Sequence, residues 1–276
     1  MEHARRNIFL LATCQALLLT NNVTLIALNG LAGFALADNK ALATLPVTGY
    51  VVGAAIATFP ASLWMKRVGR RNGFLTGTLF GIAGGAIATL GIWLSSFWTL
   101  VAGTLVLGAY NAFGQYYRFA AADVAPIQRK ARAISLVMAG GLVGGIVGPQ
   151  LSKLTRELVQ PTFLASYASL IGFCLVTMVI LAGLRIPDPK GEEAHGPTRP
   201  LKEIMAQPVF VVAVVVGALG YGVMNLLMTS TPLAMGFCGL PYAAAASVIA
   251  AHVVAMFGPS FFTGSLIQRF GVLNVM

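Results

Sequence analysis

The sequence predicts an all-α membrane protein with about eight transmembrane helices, and three observations carry that prediction. First, 57% of the 276 residues are hydrophobic, only 9% are charged and the mean hydropathy is +0.82, a balance that no water-soluble domain of this size keeps. Second, the chain contains eight apolar runs, each about as long as the roughly 20 residues that a helix needs to cross a bilayer. Third, most basic residues lie in short segments on one side of those runs.

Charged and turn-forming segments separate the apolar runs. In chain order the runs cover residues 8–36, 41–65, 72–94, 97–120, 133–151, 162–184, 208–231 and 241–267. The first run follows Arg5 and Arg6, as a cleaved signal sequence would. It is, however, about twice as long as the apolar core of a signal peptide, so we expect a retained first span.

The orientation follows from the segment Lys66–Arg71, which places four positive charges in six residues between the second and third runs. Such clusters stay on the cytoplasmic side of a membrane. With that segment inside, fourteen Lys and Arg residues fall on the cytoplasmic side and three fall outside, while Arg118 lies within the fourth run. The sequence therefore predicts a multi-pass protein of a bacterial inner membrane with a cytoplasmic N-terminus.

A polar, proline-rich stretch at residues 185–207 divides the chain. We expect residues 1–184 to form a six-helix bundle, 185–207 to be a cytoplasmic linker, and 208–276 to begin a second bundle. If the two parts are repeats, the second should echo the first.

A short echo is present after the second run of each part. Aligning Gly69 with Gly271 also pairs Arg67 with Arg269 and Asn72 with Asn274. The echo lies where a duplicated bundle predicts it.

The first copy resembles the signature of the major facilitator superfamily, G-x-x-x-D-(R/K)-x-G-(R/K)-(R/K). The matching residues are Arg67, Gly69, Arg70 and Arg71, while Ser62 replaces the first glycine and Lys66 replaces the acid. The resemblance implies two six-helix bundles around a central cavity, working by alternating access. It also implies that Lys66 removes the acid with which the family latches its cytoplasmic ends.

A second resemblance lies in the fifth run. Gly144, Gly148 and Pro149 match the G-x-x-x-G-P core of a motif associated with exporters in that family, although Ser135 stands where the longer motif has its first glycine. The resemblance favours export. The alternative is ordinary close packing between helices through small residues.

Polar residues within the spans are the candidates for substrate binding, since the family resemblance places helices 1, 4 and 7 around the cavity. They are Gln15, Asn22 and Asn29 in the first run, Asn111, Gln115 and Arg118 in the fourth, and Tyr221 and Asn225 in the seventh. Amide donors and acceptors with aromatic walls suit a small organic molecule. Asn and Gln also bond helices together without any ligand, and Arg118 has the alternatives of snorkelling, pairing with Asp123 or holding an anionic group.

Proton coupling is an open alternative. The predicted spans contain no Asp or Glu, and Thr104 stands near the position of an arginine that the family ties to proton coupling. His252 is then the one side chain within the spans that titrates near neutral pH, which makes it the candidate proton carrier. The other interpretation of His252 is a packed histidine.

Other functional classes find little support. The chain has no metalloprotease, hydrolase or phosphate-loop motif, and Cys14, Cys174 and Cys238 lie in apolar runs as packing residues do. We expect neither an enzyme nor a metal or other cofactor. A net charge of +10 reflects membrane topology rather than a nucleic-acid partner.

The sequence thus predicts a secondary transporter of a small organic solute, with efflux favoured. Its partners would be that solute, the lipid bilayer and, if coupling is protonic, H⁺. A rival remains because the chain stops at Met276, where the family continues with four more helices. The rival is a truncated product or an eight-span scaffold without transport, and we expect an oligomer only if the eight-span chain is the natural product.

Overall fold

The structure, a computed structural model, describes residues 2–186, 200–259, 261–262, 266 and 269–271. Its α-helices are α1 (Glu2–Leu36), α2 (Leu45–Trp93), α3 (Phe97–Gly114), α4 (Tyr117–Val124), α5 (Lys130–Thr155), α6 (Leu164–Ala182), α7 (Leu201–Met205), α8 (Pro208–Phe237) and α9 (Tyr242–Phe257). Short 3₁₀ turns at Lys40–Leu42 and Ile127–Arg129 join some of them. The described residues contain no strand, and the all-α class predicted from the sequence is confirmed.

Six of the described helices are long and apolar enough to cross a membrane, and α9, with 16 residues, is a shorter apolar helix. One of the six, α2, accounts for both the second and the third predicted run. The fourth predicted run is likewise divided, since α3 ends at Gly114 and α4 starts at Tyr117. Most of the predicted linker lies outside the described residues.

Helix α2 consists of two arms that fold back on each other at Gly69. Its 49 residues would measure about 70 Å if straight, more than twice the apolar thickness of a bilayer. Gly69 has φ 82° and ψ 162°, a conformation that essentially only glycine adopts. Across the turn, Trp64 Nε1 donates a hydrogen bond to Thr76 Oγ1 at 3.1 Å, although these two residues would be about 18 Å apart in a straight helix. The segment Lys66–Arg71, predicted as a loop, is therefore a sharp helical reversal.

Helix α3 lies between the two arms of α2, with backbone directly against backbone. A Cβ at Gly53 of the first arm would lie 2.0 Å from the carbonyl oxygen of Leu105. A Cβ at Gly103 of α3 would lie 2.4 Å from the backbone nitrogen of Ala88 in the second arm. Glycine at these crossings lets the three segments pack more closely than larger residues would allow.

Helix α1 lies at the centre of α1–α6, the helices that we call the first bundle, and α5 crosses it at the glycines of the predicted exporter motif. A Cβ at Gly144 would lie 2.5 Å from the carbonyl oxygen of Ala16, and one at Gly148 would lie 2.9 Å from that of Thr20. Thr24 Oγ1 also donates to the Gly148 carbonyl at 3.1 Å. These glycines thus let α5 pack closely on α1, and the association of the motif with export stays a prediction.

Helices α8 and α9 pack on the first bundle through α1 and α5. Their apolar contact contains Leu19, Val23, Met228, Val253 and Phe257. We call the end of the bundle that carries Lys66–Arg71 the basic end, and the opposite end the far end. At the far end Phe34 of α1 meets Phe237 of α8 edge-on at 5.4 Å, whereas residues 208–223 of α8, towards the basic end, are all exposed.

Candidate substrate site

Four side chains on α1, on α2 and at the end of α3 form a hydrogen-bonded group inside the first bundle, which we call the amide site: Asn22, Tyr50, Asn111 and Gln115. Asn22 Nδ2 donates to Asn111 Oδ1 at 2.8 Å, and Gln115 Nε2 donates to the same oxygen at 3.2 Å. The Tyr50 hydroxyl donates to Asn22 Oδ1. Asn22, Tyr50 and Asn111 are buried, so these bonds form in a medium of low dielectric constant.

The bonds within the amide site leave some of its polar capacity unused. A primary amide offers two N–H donors and one carbonyl acceptor. Within the described part of the chain, the Asn111 amide nitrogen and the Gln115 carbonyl oxygen form no hydrogen bond. The site therefore offers a donor and an acceptor close together on one helix face.

Tyr221 and Asn225 on α8 lie across from the first bundle. Tyr221 lies within electrostatic range of the Tyr50 hydroxyl and is 48% exposed. Asn225 Nδ2 donates to the Tyr221 carbonyl one turn earlier, at 3.0 Å. Of the predicted seventh-run residues, Tyr221 thus approaches the amide site, while the bond formed by Asn225 is local to α8.

Asn29 and Gln15 share the helical stripe of Asn22 without joining the amide site. Asn29 is 1% exposed, and its Oδ1 accepts a 2.6 Å bond from the Tyr167 hydroxyl of α6. Gln15 is buried and forms no side-chain hydrogen bond with the described residues. The stripe changes partners along α1 because different helices cross it at different depths.

Arg118 does not pair with Asp123. Asp123 instead accepts from Arg70, with 3.1 Å between Arg70 Nε and Asp123 Oδ2. The Arg118 guanidinium lies 5.0 Å from the centre of the Phe119 ring, and its Nε is buried without a hydrogen-bond partner among the described residues. The structure thus gives Arg118 an aromatic contact and, among the described residues, no hydrogen bond to the amide site.

His252, the predicted proton carrier, is half-buried on α9. The next residue, Val253, is fully buried and fills the space above Gly145 of α5, where an added Cβ would lie 2.3 Å from Val253 Cγ1. His252 therefore adjoins the contact between the two parts of the chain. Within the described range, no hydrogen bond or ion pair holds its imidazole.

The signature residues tie helix ends together at the basic end. Arg70 bridges α2 to Asp123 at the end of α4, and Arg71 Nη2 donates to the carbonyl of Ala182 at 2.9 Å. Because the last carbonyls of α6 lack helical partners and carry its negative dipole, a guanidinium there is favourable. Arg67 is exposed on the same turn.

The second copy of the signature has one measurable likeness to the first. Gly271 has φ 80° and Gly69 has φ 82°, so both glycines occupy the region that other residues avoid. Arg269, the partner of Arg67 in the repeat, lies with its guanidinium 5.4 Å from the centre of the Phe270 ring.

Two tyrosines were missed from the sequence, although each completes a polar contact. Tyr50 bonds Asn22, and Tyr167 bonds Asn29. The available signal was the hydroxyl itself, since a tyrosine inside an apolar run needs a partner for it. Their roles depend on where the helices cross, and the lengths of the apolar runs do not reveal this.

The described residues contain no group of three or more His, Cys, Asp or Glu side chains that could hold a metal ion.

The sequence profile of the Major Facilitator Superfamily matches residues 8–276, nearly the whole chain. The chain belongs to the Major Facilitator Superfamily. The resemblance inferred from the signature is confirmed, and membership of this transporter family accounts for the all-α fold. The predicted transporter class therefore holds at the level of the family.

Two relatives in the superfamily have sequences similar to most of this chain. Riboflavin transporter RfnT of Brucella anthropi is 45% identical over 273 residues, covering 97% of this chain and 68% of that protein. The uncharacterized MFS-type transporter YddS of Bacillus subtilis is 27% identical over 253 residues, covering 83% of this chain and 56% of that protein. The chain thus spans about two thirds of RfnT and little more than half of YddS.

Solved superfamily structures share the fold. The xylose transporter XylE from E. coli, in a partially occluded inward-open conformation, superposes with a TM-score of 0.71 at 15% identity, covering 98% of this chain and 74% of that one. The transporter FucP in the outward conformation gives 0.67 at 17% identity, covering 95% and 71%. At these identities the likeness concerns the fold alone.

Proposed function

We propose that the protein transports riboflavin, or a similarly neutral polar ring compound, across a membrane by alternating access. The observation that carries the proposal is the amide site, which combines unused amide donors and acceptors with tyrosine rings and contains no charged residue. The relative named a riboflavin transporter, 45% identical over almost the whole chain, supports the choice of substrate.

The chemistry of riboflavin suits this site. Its ring system ends in an imide edge, where one N–H donor lies between two carbonyl acceptors, and its side chain carries hydroxyls but no charge. The Asn111 amide nitrogen can donate to a ring carbonyl while the Gln115 carbonyl accepts from the imide N–H. Tyr221, which is 48% exposed, supplies an aromatic surface against which a flat ring packs.

A competition titration tests the substrate class. Riboflavin fluorescence is titrated with purified protein, and the bound flavin is then displaced with lumichrome, which keeps the ring system, or with ribitol, which resembles the side chain. We expect displacement by lumichrome at far lower concentration than by ribitol. Displacement by ribitol alone would contradict a ring-binding amide site.

For direction, we propose export, and the support is the glycine-proline pattern of the fifth run. For coupling, we propose that H⁺ exchanges for the solute through His252, which adjoins the contact between α9 and α5. Riboflavin flux in vesicles tests both proposals when the solute gradient and the pH gradient are imposed separately. Flux that ignores the pH gradient would reject proton coupling and leave the substrate proposal intact.

For topology, we propose that the basic end faces the cytoplasm of a bacterium, with residues 1–184 and 208–276 belonging to two bundles joined by 185–207. The excess of basic residues on one side of the spans supports this orientation. Labelling of single cysteines from outside intact cells tests it. A cysteine at Lys40 should react, and one at Arg67 should react only after the membrane is opened.

The rival proposal is a membrane scaffold without transport, and one observation favours it. Residues 208–223 of α8 are exposed on every face, so this apolar segment needs lipid, further helices or a second copy of the chain to cover it. A scaffold should tolerate Asn22→Ala without loss of its role, whereas a carrier should lose transport. Molecular mass in detergent would show whether copies associate.

A further inference from the structure

A cavity of about 640 Å³ opens at the basic end of the bundle and shares no residue with the amide site. It lies between the first turns of α1, the end of α4 and the start of α5. We call it the arginine cavity, because Arg5, Arg129 and Arg132 line it. Its volume is in the range of pockets that hold small organic ligands.

The charge of the arginine cavity is uncompensated within the described part of the chain. None of its lining residues is acidic, and no described carboxylate pairs with the three arginines. Asp123, one residue before the lining residue Val124, bonds Arg70 instead. Three guanidinium groups around one cavity repel each other, so the arrangement favours a bound anion.

The start of α5 adds to the positive charge around the arginine cavity. Its first turn contains Lys130 and no acidic residue, and no side chain caps it. A helix N-terminus carries partial positive charge and usually attracts acidic side chains, whereas here the chain places Arg129 and Arg132 there. Guanidinium groups match phosphate oxygens in a two-pronged geometry that an ammonium does not offer.

The remaining walls are apolar and reach the protein surface. Phe9 and Leu136 line the cavity and are 71% and 49% exposed, and Ile8 and Pro126 line it as well. A cavity that is basic at one wall and apolar at the others suits a phosphate group attached to an apolar body.

We propose that the arginine cavity binds a phosphate group, held by Arg5, Arg129 and Arg132, whose apolar substituent lies against Phe9 and Leu136. Such a group has two sources, the head group of an anionic phospholipid or a soluble phosphate ester. Both share the chemistry that the cavity recognises. The experiment below distinguishes the two.

The chain offers a control that separates this site from general surface charge. Arg6 and Lys130 are exposed, as Arg5, Arg129 and Arg132 are, but neither of these two lines the cavity. The lining variant is Arg5→Gln, Arg129→Gln and Arg132→Gln together, and the control variant is Arg6→Gln with Lys130→Gln. Any surface Lys or Arg attracts anionic membranes, so the control measures that background.

The purified protein is placed in nanodiscs of phosphatidylcholine with or without phosphatidylglycerol, and the lipids retained after release into detergent are counted by native mass spectrometry. In parallel, glycerol 3-phosphate is titrated while the melting temperature is followed. We expect one of the two probes to bind the unmodified protein. The lining variant should bind it at least about tenfold more weakly, since several charge-assisted bonds are removed, and the control variant should bind it within about twofold.

Retention of phosphatidylglycerol that only the lining variant loses would support the site and assign it to lipid. Stabilisation by glycerol 3-phosphate that only the lining variant loses would support it and assign a soluble ester. Equal losses in the lining and control variants, or no binding of either probe to the unmodified protein, would overturn the proposal. If the triple variant does not fold, Arg132→Gln against Lys130→Gln gives the same comparison.

Discussion

Replacing Asn22 by alanine separates a substrate site from ordinary bonding between helices, because Asn29 offers a matched control on the same helix. Asn22 forms two side-chain bonds, one to Asn111 and one from Tyr50, and Asn29 forms one, from Tyr167. A side-chain bond between membrane helices is worth about 0.6 kcal/mol on average. We therefore expect Asn22→Ala to cost about 1 kcal/mol of folding stability and Asn29→Ala about 0.6 kcal/mol.

The effect on ligand binding should differ far more than the effect on stability. If riboflavin bonds to the amide site, Asn22→Ala lets Asn111 and Tyr50 reorient and leaves polar atoms of the ligand unpaired, which costs about 1–3 kcal/mol. That loss raises the Kd about five- to 150-fold, whereas Asn29→Ala should change it less than about twofold.

The assay is titration of riboflavin fluorescence with each purified variant, alongside thermal unfolding in the same detergent. Asn111→Ala should behave as Asn22→Ala does, because the Asn111 oxygen accepts two of the three bonds of the amide site. Equal increases in Kd for Asn22→Ala and Asn29→Ala would refute the reasoning, since both amides would then be acting through stability alone.

Three further predictions concern the reversal of α2, the basic end and coupling. Gly69→Ala should lower the free energy of unfolding by about 1–3 kcal/mol, because a non-glycine residue is strained at φ 82°. The control is Gly172→Ala, since a Cβ at Gly172 meets open space. This change should leave the melting temperature unchanged or raise it. A double-mutant cycle of Arg70→Gln and Asp123→Asn should give a coupling energy of about 0.2–1 kcal/mol. This energy should fall in high salt, because both side chains are partly exposed. A coupling energy unaffected by salt would speak against the ion pair. His252→Gln should abolish the dependence of riboflavin flux on an imposed pH gradient, and an unchanged dependence would remove His252 as the carrier.

Span positions could be predicted from the sequence because each apolar run must match the bilayer. The same reasoning could not show that Lys66–Arg71 is a helical reversal, since hydropathy records where the chain leaves the membrane and not how it turns. The family signature has a glycine at position 69, but nothing else in the sequence indicated its positive φ. The break between α3 and α4 was not foreseen, because the predicted run 97–120 continues through it.

The amide site was only partly predictable for a related reason. A repeat of seven residues places Gln15, Asn22 and Asn29 on one face of α1, but which helix crosses that face at each depth is a property of packing. Crossing positions depend on backbone contacts such as Gly144 against Ala16. As a result Asn22 meets Asn111, Asn29 meets Tyr167, and the tyrosine partners could not be assigned.

Ion pairing at the basic end was only partly predictable from the sequence. Asp123 was considered as a partner of Arg118, but it accepts from Arg70 of α2, while Arg71 bonds the end of α6. Asp123 lies far along the chain from Arg70. Only the fold brings these charges together.

Riboflavin flux into and out of vesicles containing the purified protein tests the central claim most directly. The account predicts saturable flux down an imposed riboflavin gradient, strongly reduced in Asn22→Ala and Asn111→Ala, retained in Asn29→Ala, and absent with D-xylose. Riboflavin flux no faster than in vesicles without protein, or equal flux for riboflavin and D-xylose, would contradict it.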